Sequence, residues 1–286
     1  MKLDPGLGLG YVPRETSSYV PRETAFHVEH EEHVAKIIAV VNQKGGVGKT
    51  TTAVNLSAGL ALAERRTVLV DLDPQGNATT GLGLNKSEPR QTVYNVLLDG
   101  LPLNQATAPT ELQYLGIVPS EMDLVGAEIE LVTLPDREHR LKTALDAARE
   151  QVDYIVVDCP PSLGLLTLNA LTAADSVLIP LQCEYYAMEG LAQLIRTINM
   201  VRERLNPGLA IEGILFTMFD GRTSLAAQVK TEVHQHLGGQ TFATVIPRNV
   251  RLTEAPSHGR PVFLYDLRSS GAIAYLELTR EVLAHG

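Results

Sequence analysis

Residues 40–52 read VVNQKGGVGKTTT, and this segment decides the fold. It follows an apolar run at residues 37–41 and precedes a helix-like run at residues 51–62. Gly45, Gly46 and Gly48 let the backbone turn its N–H groups inward without a Cβ clash, which forms a nest for an anion. Strand, glycine-rich loop and helix in this order predict a phosphate-binding loop.

The two lysines of the loop have different expected roles. Lys49 supplies a positive charge to phosphate, and Thr50 places a hydroxyl where Mg²⁺ would sit. The strict pattern G-x-x-x-x-G-K-[ST] requires glycine at position 43, where this chain has Gln43. Lys44 has no place in that pattern, and a solvated loop lysine is one interpretation of it.

The form KGGVGKT, residues 44–50, resembles the deviant Walker A motif of the ParA/MinD family of ATPases. The resemblance implies ATP and Mg²⁺ as cofactors and a homodimer that sandwiches ATP. In that family the early lysine, here Lys44, reaches the partner subunit's nucleotide. The resemblance also implies that the whole loop binds nucleotide: Lys44, Gly45, Gly46, Val47, Gly48, Lys49, Thr50 and Thr51.

The composition is that of an ordinary globular chain of 286 residues, with 44% hydrophobic and 20% charged residues. No apolar run reaches the roughly 18 residues that span a bilayer, and the amino terminus lacks a signal-peptide pattern. We therefore expect a cytoplasmic protein without a membrane partner. Cys159 and Cys183 have no C-x-x-C spacing and are predicted to be buried reduced thiols.

Apolar runs alternate with helical patterns along residues 34–286. The pattern predicts a single α/β domain of the P-loop NTPase type, a mostly parallel twisted sheet with helices on both faces. Apolar positions within residues 187–205 follow helical spacing, and we interpret that stripe as packing rather than as a partner site. The predicted strands are residues 37–41, 68–72, 114–118, 154–157, 176–180, 211–217 and 244–246.

Carboxylates follow two of the predicted strands. Asp71 and Asp73 in VLVDLDPQ lie on one side of an extended chain, and Asp158 ends the apolar run YIVVD. Such carboxylates suit Mg²⁺ and water, although a plain turn is the alternative at both places. The family resemblance assigns Asp73 to the attacking water and Asp158 to Mg²⁺, so the predicted catalytic residues are Lys44, Lys49 and Asp73, and the predicted metal residues are Thr50, Asp71 and Asp158.

Two later segments, TMFDGRT at 217–223 and VIPRNVRLTEAPSHGRPV at 245–262, resemble chromosomal ParA proteins. This resemblance implies that the base of ATP lies near Met218, Pro247 and Asn249. It also implies nonspecific contacts of Arg222 and Arg251 with double-stranded DNA, although Arg251 can instead pair with Glu254 at i, i+3.

The charge distribution agrees with one DNA-binding region. The formal net charge of the chain is −9, which is unfavourable for nucleic acid as a whole. Residues 215–270 nevertheless hold six Lys or Arg and four Asp or Glu. The resemblance thus predicts a chromosome-partitioning ATPase that associates with the nucleoid and is released when a ParB-like centromere-binding protein stimulates hydrolysis.

Residues 1–33 are predicted to be a disordered leader, since YVPRET occurs at 11–16 and at 19–24 with little apolar periodicity. His27, His30 and His33 could bind a metal, but a polar leader is the simpler interpretation. A further hypothesis is that the leader is translated centromere DNA or an upstream start, because VPRET can be written GTT CCA CGT GAA ACA, close to the family's palindromic site.

Two other classes of function remain open in the sequence. A MinD-like membrane-associated ATPase that positions cell division needs a basic amphipathic helix at its carboxyl end, and this chain ends GAIAYLELTREVLAHG. An ATPase like the nitrogenase iron protein needs cysteines that bridge a cluster between subunits. Cys159 and Cys183 do not lie in the corresponding motifs.

Overall fold

The computed structural model describes residues 34–85, 88 and 90–285. The predicted leader, with its repeated segment and its three histidines, lies outside the described residues.

An eight-stranded sheet forms the centre of the described domain, in the order β3-β4-β2-β5-β1-β6-β7-β8. Adjacent strands run parallel except β3 and β4, which are antiparallel. The strands are β1 (Lys36–Val40), β2 (Thr67–Asp71), β3 (Ala108–Pro109), β4 (Leu115–Val118), β5 (Tyr154–Asp158), β6 (Ser176–Gln182), β7 (Ala210–Phe219) and β8 (Thr241–Pro247).

The seven predicted strands are confirmed, most with ends shifted by one or two residues. β8 is the clearest exception, because it begins at Thr241 rather than at residue 244. Along β8 buried and more exposed residues alternate, as expected at the edge of a sheet, so its first residues lacked an apolar run. β3 was not predicted at all.

Helices cover both faces of the sheet. Ile37 and Ala39 of β1 belong to one hydrophobic cluster and Ile38 and Val40 to another, so successive side chains enter two separate cores. The helices are α1 (Lys49–Leu62), α2 (Asn77–Gly81), α3 (Val93–Leu98), α4 (Leu103–Ala106), α5 (Leu124–Leu131), α6 (Arg140–Asp146), α7 (Leu165–Ala173), α8 (Ala187–Arg204), α9 (Ser224–Leu237), α10 (Val250–Glu254), α11 (Val262–Tyr265) and α12 (Ser270–Ala284).

The long helix α8 confirms the packing interpretation of its stripe. Leu191, Leu194, Ile198 and Val201 are buried in the first core cluster. Their spacing places them on one side of the helix, and that side faces the sheet.

Helix α12 packs against α1 and β8. Ala272, Tyr275, Leu278 and Val282 are buried in the second core cluster, so the apolar side of this helix is already covered by the domain. Among the described residues, no helix combines the length and the apolar character that crossing a membrane requires.

The parallel strands deliver their following loops to one edge of the sheet. β1 leads into the phosphate loop, β2 into Asp73, β5 ends at Asp158, and β7 carries Met218 near its end. In open α/β sheets ligands bind at this carboxyl edge. The fold therefore brings together segments that are far apart in the sequence.

Candidate active site

The phosphate loop is shaped by two glycines in the left-handed region. Gly46 has φ 74° and Gly48 has φ 87°, values that only glycine adopts without strain. Helix α1 begins at the next residue, Lys49, so its free N–H groups face the loop. The hydroxyl of Thr217 on β7 donates to the carbonyl oxygen of Val47 over 2.8 Å and ties the loop to the sheet.

Lys49 lies inside the loop. It is 6% exposed, and its ammonium group donates to the carbonyl oxygen of Lys44 over 2.9 Å. Burial lowers the pKa of Lys49, while the charges of Asp158 and Asp73 act in the opposite direction. The ammonium is thus held among groups of opposite charge, ready to face phosphate oxygens.

Lys44 points elsewhere. Its ammonium group forms an ion pair with Glu184, and both side chains are 45% exposed. Its backbone N–H donates to Oδ1 of Asn42 over 3.0 Å. The two lysines of one loop therefore serve different surroundings, one buried and one facing solvent.

A cavity of about 520 Å³ opens beside the loop, a size suited to a small ligand. Ten of the predicted site residues line it: Gly45, Gly46, Gly48, Lys49, Thr50, Thr51, Asp73, Met218, Pro247 and Asn249. The described residues that line this cavity do not include Lys44, Val47, Asp71 or Asp158. The late segments that the family resemblance assigned to the base thus share one cavity with the phosphate loop.

Asp158 is a buried carboxyl that lies beside Thr50 and Lys49. Neither of its oxygens makes a hydrogen bond within the described part of the chain. Burial, followed by the negative charge of Asp71, raises its pKa well above the usual range, and the neighbouring Thr50 hydroxyl acts in the opposite direction. An orphaned carboxylate beside Thr50 and Lys49 fits a divalent cation, since hard cations prefer oxygen ligands.

Asp71 is engaged by its own surroundings. Oδ2 accepts hydrogen bonds from the Thr79 backbone over 2.8 Å and from the Thr79 hydroxyl over 2.7 Å, while Oδ1 accepts from the backbone N–H of Asp73 over 3.2 Å. Burial raises the pKa of Asp71 to about 6 although the Thr79 bonds oppose it. Asp71 thus organises the segment that carries Asp73.

Asp73 stands at the wall of the cavity. It is 7% exposed, and its Oδ1 accepts a hydrogen bond from the backbone N–H of Gln75 over 2.9 Å. This bond fixes the direction of the carboxylate. The side chain is therefore placed where a water molecule in the cavity could be oriented.

Two residues of the cavity lining, Met218 and Asn249, have unusual local structure. Met218 has φ 48°, unusual for a residue other than glycine, and such strain is frequent at ligand sites. Asn249 caps α10 by accepting from the backbone N–H of Arg251 over 2.9 Å, and its amide donates to the Ser270 hydroxyl over 2.8 Å. The backbone conformation thus fixes the position of Met218, and two hydrogen bonds orient the side chain of Asn249.

The two predicted DNA-contacting arginines are exposed but paired. Arg222 forms a bidentate ion pair with Asp220, with N–O distances of 2.8 Å and 2.6 Å, and its side chain is 91% exposed. Arg251 pairs with Glu254 at 2.8 Å, the alternative that its spacing allowed, and with Asp266 at 3.3 Å. A phosphate would have to replace these carboxylates.

Several residues of the site escaped the sequence interpretation. Thr79 lies eight residues beyond Asp71, and Glu184 lies 140 residues beyond Lys44, so no local spacing indicates either contact. Cys159 is buried as expected, whereas Cys183 is only partly buried, and both are free thiols. The lining of the cavity further includes residues for which no site role was predicted, among them Gln75, Asn77, Thr217, Arg248, Thr253 and Tyr275.

Comparison with known proteins agrees with this geometry. Residues 35–211 match the family described as AAA domain. The chain is 58% identical over 250 residues to the chromosome partitioning protein ParA of Myxococcus xanthus, covering 87% of this chain and 88% of that protein. It is 56% identical over 253 residues to the sporulation initiation inhibitor protein Soj of Bacillus subtilis, covering 88% of this chain and 100% of that protein.

A solved structure resembles the fold and shows what a related site holds. The cobyrinic acid a,c-diamide synthase of Mycobacterium smegmatis, with an ATP analogue and magnesium bound, has a TM-score of 0.78 at 40% identity. The match covers 88% of this chain and 96% of that one. With the phosphate loop, the cavity and these relatives in agreement, the chain belongs to the ParA/Soj family of chromosome-partitioning ATPases.

Proposed function

We propose that this chain forms an ATP-sandwich homodimer, hydrolyses ATP to ADP and phosphate with Mg²⁺, and binds double-stranded DNA nonspecifically on the nucleoid. A ParB-like centromere-binding protein stimulates hydrolysis and thereby releases this protein from DNA. The observation that carries this proposal is the divergence of the two lysines. Lys49 is buried at the cavity, whereas Lys44 is half exposed on the same loop and free to exchange Glu184 for a partner's nucleotide.

The chain's own residues supply positioning and charge rather than covalent chemistry. Lys49 and the N–H groups at the start of α1 hold the phosphates, and Asp73 orients the attacking water. Thr50 and Asp158, with Asp71 behind them, would hold Mg²⁺, which neutralises charge on the phosphate oxygens. Lys44 of the partner subunit completes the site, so the nucleotide state and the oligomeric state become one switch.

The part of the cavity that the late segments line suits the base of ATP. Met218, Pro247 and Asn249 line the same cavity as the phosphate loop. Apolar walls with a few fixed polar groups are usual where a flat ring binds. The Asn249 side chain is already oriented by its bonds to Arg251 and Ser270, which favours a specific contact over a loose one.

DNA binding is proposed to pass through Arg222 and Arg251 of both subunits. Exposed ion pairs contribute little, typically about 0–1 kcal/mol, so phosphates can displace Asp220 and Glu254. Four such contacts in a dimer give a shallow salt dependence and weak, reversible binding. The described residues offer no recognition helix for base edges, so we expect binding without sequence preference.

A MinD-like membrane ATPase remains the alternative, and α12 is not the membrane helix that this class requires. The membrane helix of that class needs a free apolar side, whereas the apolar side of α12 is buried against α1 and β8. Sedimentation with anionic liposomes and ATP separates the two functions. ATP-dependent sedimentation would favour the membrane class.

Gel filtration with ADP, ATP and a slowly hydrolysed analogue, with and without duplex DNA, tests the proposal. We expect a monomer with ADP, a dimer with the analogue, and DNA in the dimer fraction only. A monomer that retains DNA, or a chain that stays monomeric with the analogue, would contradict it.

A further inference from the structure

Helix α5 and the turn residues on either side of it carry a row of apolar side chains that faces solvent. Met122, Val125, Ile129 and Val132 are 60%, 52%, 74% and 53% exposed. They recur every three or four positions and so form one stripe, while Leu124, Ala127 and Leu131 on the opposite side are buried in the core. Single exposed apolar residues are common, but an aligned row is typical of a surface that binds another molecule.

The surroundings of this stripe are acidic. Residues 121–136 include five Asp or Glu and no Lys or Arg, while Arg137 at the end of this segment donates to the carbonyl oxygen of Val132 over 3.0 Å and pairs with Glu138. Asp123 and Glu130 are exposed beside the stripe, and Glu130 accepts a hydrogen bond from the Tyr94 hydroxyl over 3.1 Å, which holds its charge at that place. The surface therefore complements a segment that is apolar on one side and basic at its border.

The other side of α5 reaches the segment that follows Asp158. The side chain of Glu128 packs against Gly164, the residue that caps α7, and a Cβ on Gly164 would lie 2.2 Å from Oε1 of Glu128 unless that side chain moved. That oxygen is buried without a hydrogen-bond partner in the described part of the chain. Residues 159–163 join this contact to Asp158, so a displacement of α5 acts on the loop that carries the buried carboxyl.

We propose that the stripe of Met122, Val125, Ile129 and Val132 is the docking surface for a basic amphipathic helical segment of the protein that stimulates hydrolysis. This inference rests on the proposed function. The stripe spans ten residue steps, about 15 Å at 1.5 Å per residue, so a partner helix of about three turns covers it. A second copy is a poorer occupant, since a two-fold contact would bring two acidic borders together.

The experiment measures ATP turnover, without DNA, against the concentration of the ParB homologue from the same organism. For the double variant Val125→Ser, Ile129→Ser we expect at least a tenfold higher half-saturating concentration, because few buried apolar contacts dominate an interface. Its basal turnover and its analogue-induced dimer should match the wild type. The matched control is Met200→Ser on α8, whose side chain is similarly exposed at 51% and should leave the response unchanged.

A charge exchange provides the second arm. Asp123→Lys together with Glu130→Lys should also raise the half-saturating concentration about tenfold, because like charges then face each other across the contact. If this variant has the half-saturating concentration of the wild type, the proposal that the partner segment is basic is wrong.

The remaining outcomes separate the possible errors. Stimulation of the serine double variant at the wild-type concentration would overturn the docking surface alone. Loss of the analogue-induced dimer in that variant would identify the stripe as a contact between copies and overturn the proposal. If the homologue leaves the wild-type turnover unchanged although the dimer forms, release by a ParB-like partner is wrong and this inference falls with it.

Discussion

The ammonium group of Lys49 donates a hydrogen bond to the carbonyl oxygen of Lys44, 2.9 Å away. Lys49, which we expect to bind the chain's own nucleotide, is thus hydrogen-bonded to Lys44, which we expect to reach the partner's nucleotide. Phosphate oxygens entering the loop compete for the same ammonium, so binding must release this bond. Because the acceptor is the backbone carbonyl oxygen of Lys44, a substitution of either lysine side chain tests that residue separately.

Lys49→Ala should abolish nucleotide binding and with it the dimer. The side chain is the buried cation of the cavity, and among the described residues no other lysine lines it. Fluorescent ATP titration should show at least a hundredfold weaker binding, since several charge-assisted contacts to phosphate are lost, about 3 kcal/mol. Lys142→Ala on α6 is the control, because Lys142 pairs only at the surface with Asp146. A dimer of the Lys49 variant with ATP would contradict the scheme.

Lys44→Ala should retain ATP affinity within about threefold but fail to dimerise, because its ammonium is outside the cavity of its own subunit. Gel filtration with the slowly hydrolysed analogue measures the dimer, and fluorescent ATP titration measures affinity. If this variant dimerises as well as the wild type, Lys44 is only a solvated loop residue.

Asp73→Ala should trap an ATP-bound dimer. Loss of a group that orients the attacking water commonly costs about 10²–10⁴ in rate, while the phosphate loop is unchanged. Steady-state phosphate release should fall accordingly, and gel filtration with ATP itself should then show the dimer. Normal turnover would assign Asp73 to the turn that it makes with Gln75.

Asp158→Asn should raise the stability of the nucleotide-free protein and remove the additional stabilisation by Mg²⁺. Its buried carboxylate lacks hydrogen bonds, a cost of about 1–3 kcal/mol, so we expect Tm to rise by about 2–6 °C in EDTA. Thermal unfolding with EDTA, with ATP and with ATP plus Mg²⁺ tests this. An equal Mg²⁺ effect in both proteins would exclude Asp158 from the metal site.

The same variant gives a pH dependence of known sign. The pKa of Asp158 is raised in the folded chain, chiefly by burial, so ionisation destabilises the fold at high pH. The penalty is complete above the folded pKa and disappears as the pH falls through the unfolded value. The difference in Tm between Asp158→Asn and the wild type should therefore shrink between pH 8 and pH 5.

Arg251→Glu should dimerise with ATP yet lose DNA. Four phosphate contacts in the wild-type dimer predict a log–log salt slope of about −3.6, roughly a hundredfold loss of affinity from 50 to 200 mM salt. Arg222→Ala should halve that slope, since it removes two contacts. Arg196→Glu, on the exposed side of α8, is the control of equal charge change as Arg251→Glu. Equal loss of DNA in that control would indicate a net-charge effect alone.

The fold was predictable wherever an apolar run filled a central strand. β1, β2 and β5 are buried along nearly their whole length, so their sequences are continuous apolar runs. β3 has two residues, one of them Pro109, and a proline argues against a strand in any sequence rule. It exists because it pairs with the edge of β4, a contact that no local pattern encodes.

The site was predictable as far as the phosphate loop determines it. Glycine spacing, Lys49 and Thr50 carry their chemistry in consecutive residues. The bond between Asp71 and Thr79 arises only when the chain turns back after β2. The pair of Lys44 with Glu184 arises only when two separate loops meet at the sheet edge. The clustering of Met218 and Asn249 with the loop rested on family resemblance, because periodicity says nothing about which loops share a cavity.

The Tyr275 hydroxyl lies 3.1 Å from the Thr52 hydroxyl, and Tyr275 also lines the cavity. Helix α12 thus lines the cavity, and this pair of hydroxyl groups joins it to helix α1. A fluorescent reporter or an affinity tag attached to the carboxyl end is therefore joined to a helix that lines the cavity. Labels for imaging this protein belong on another surface.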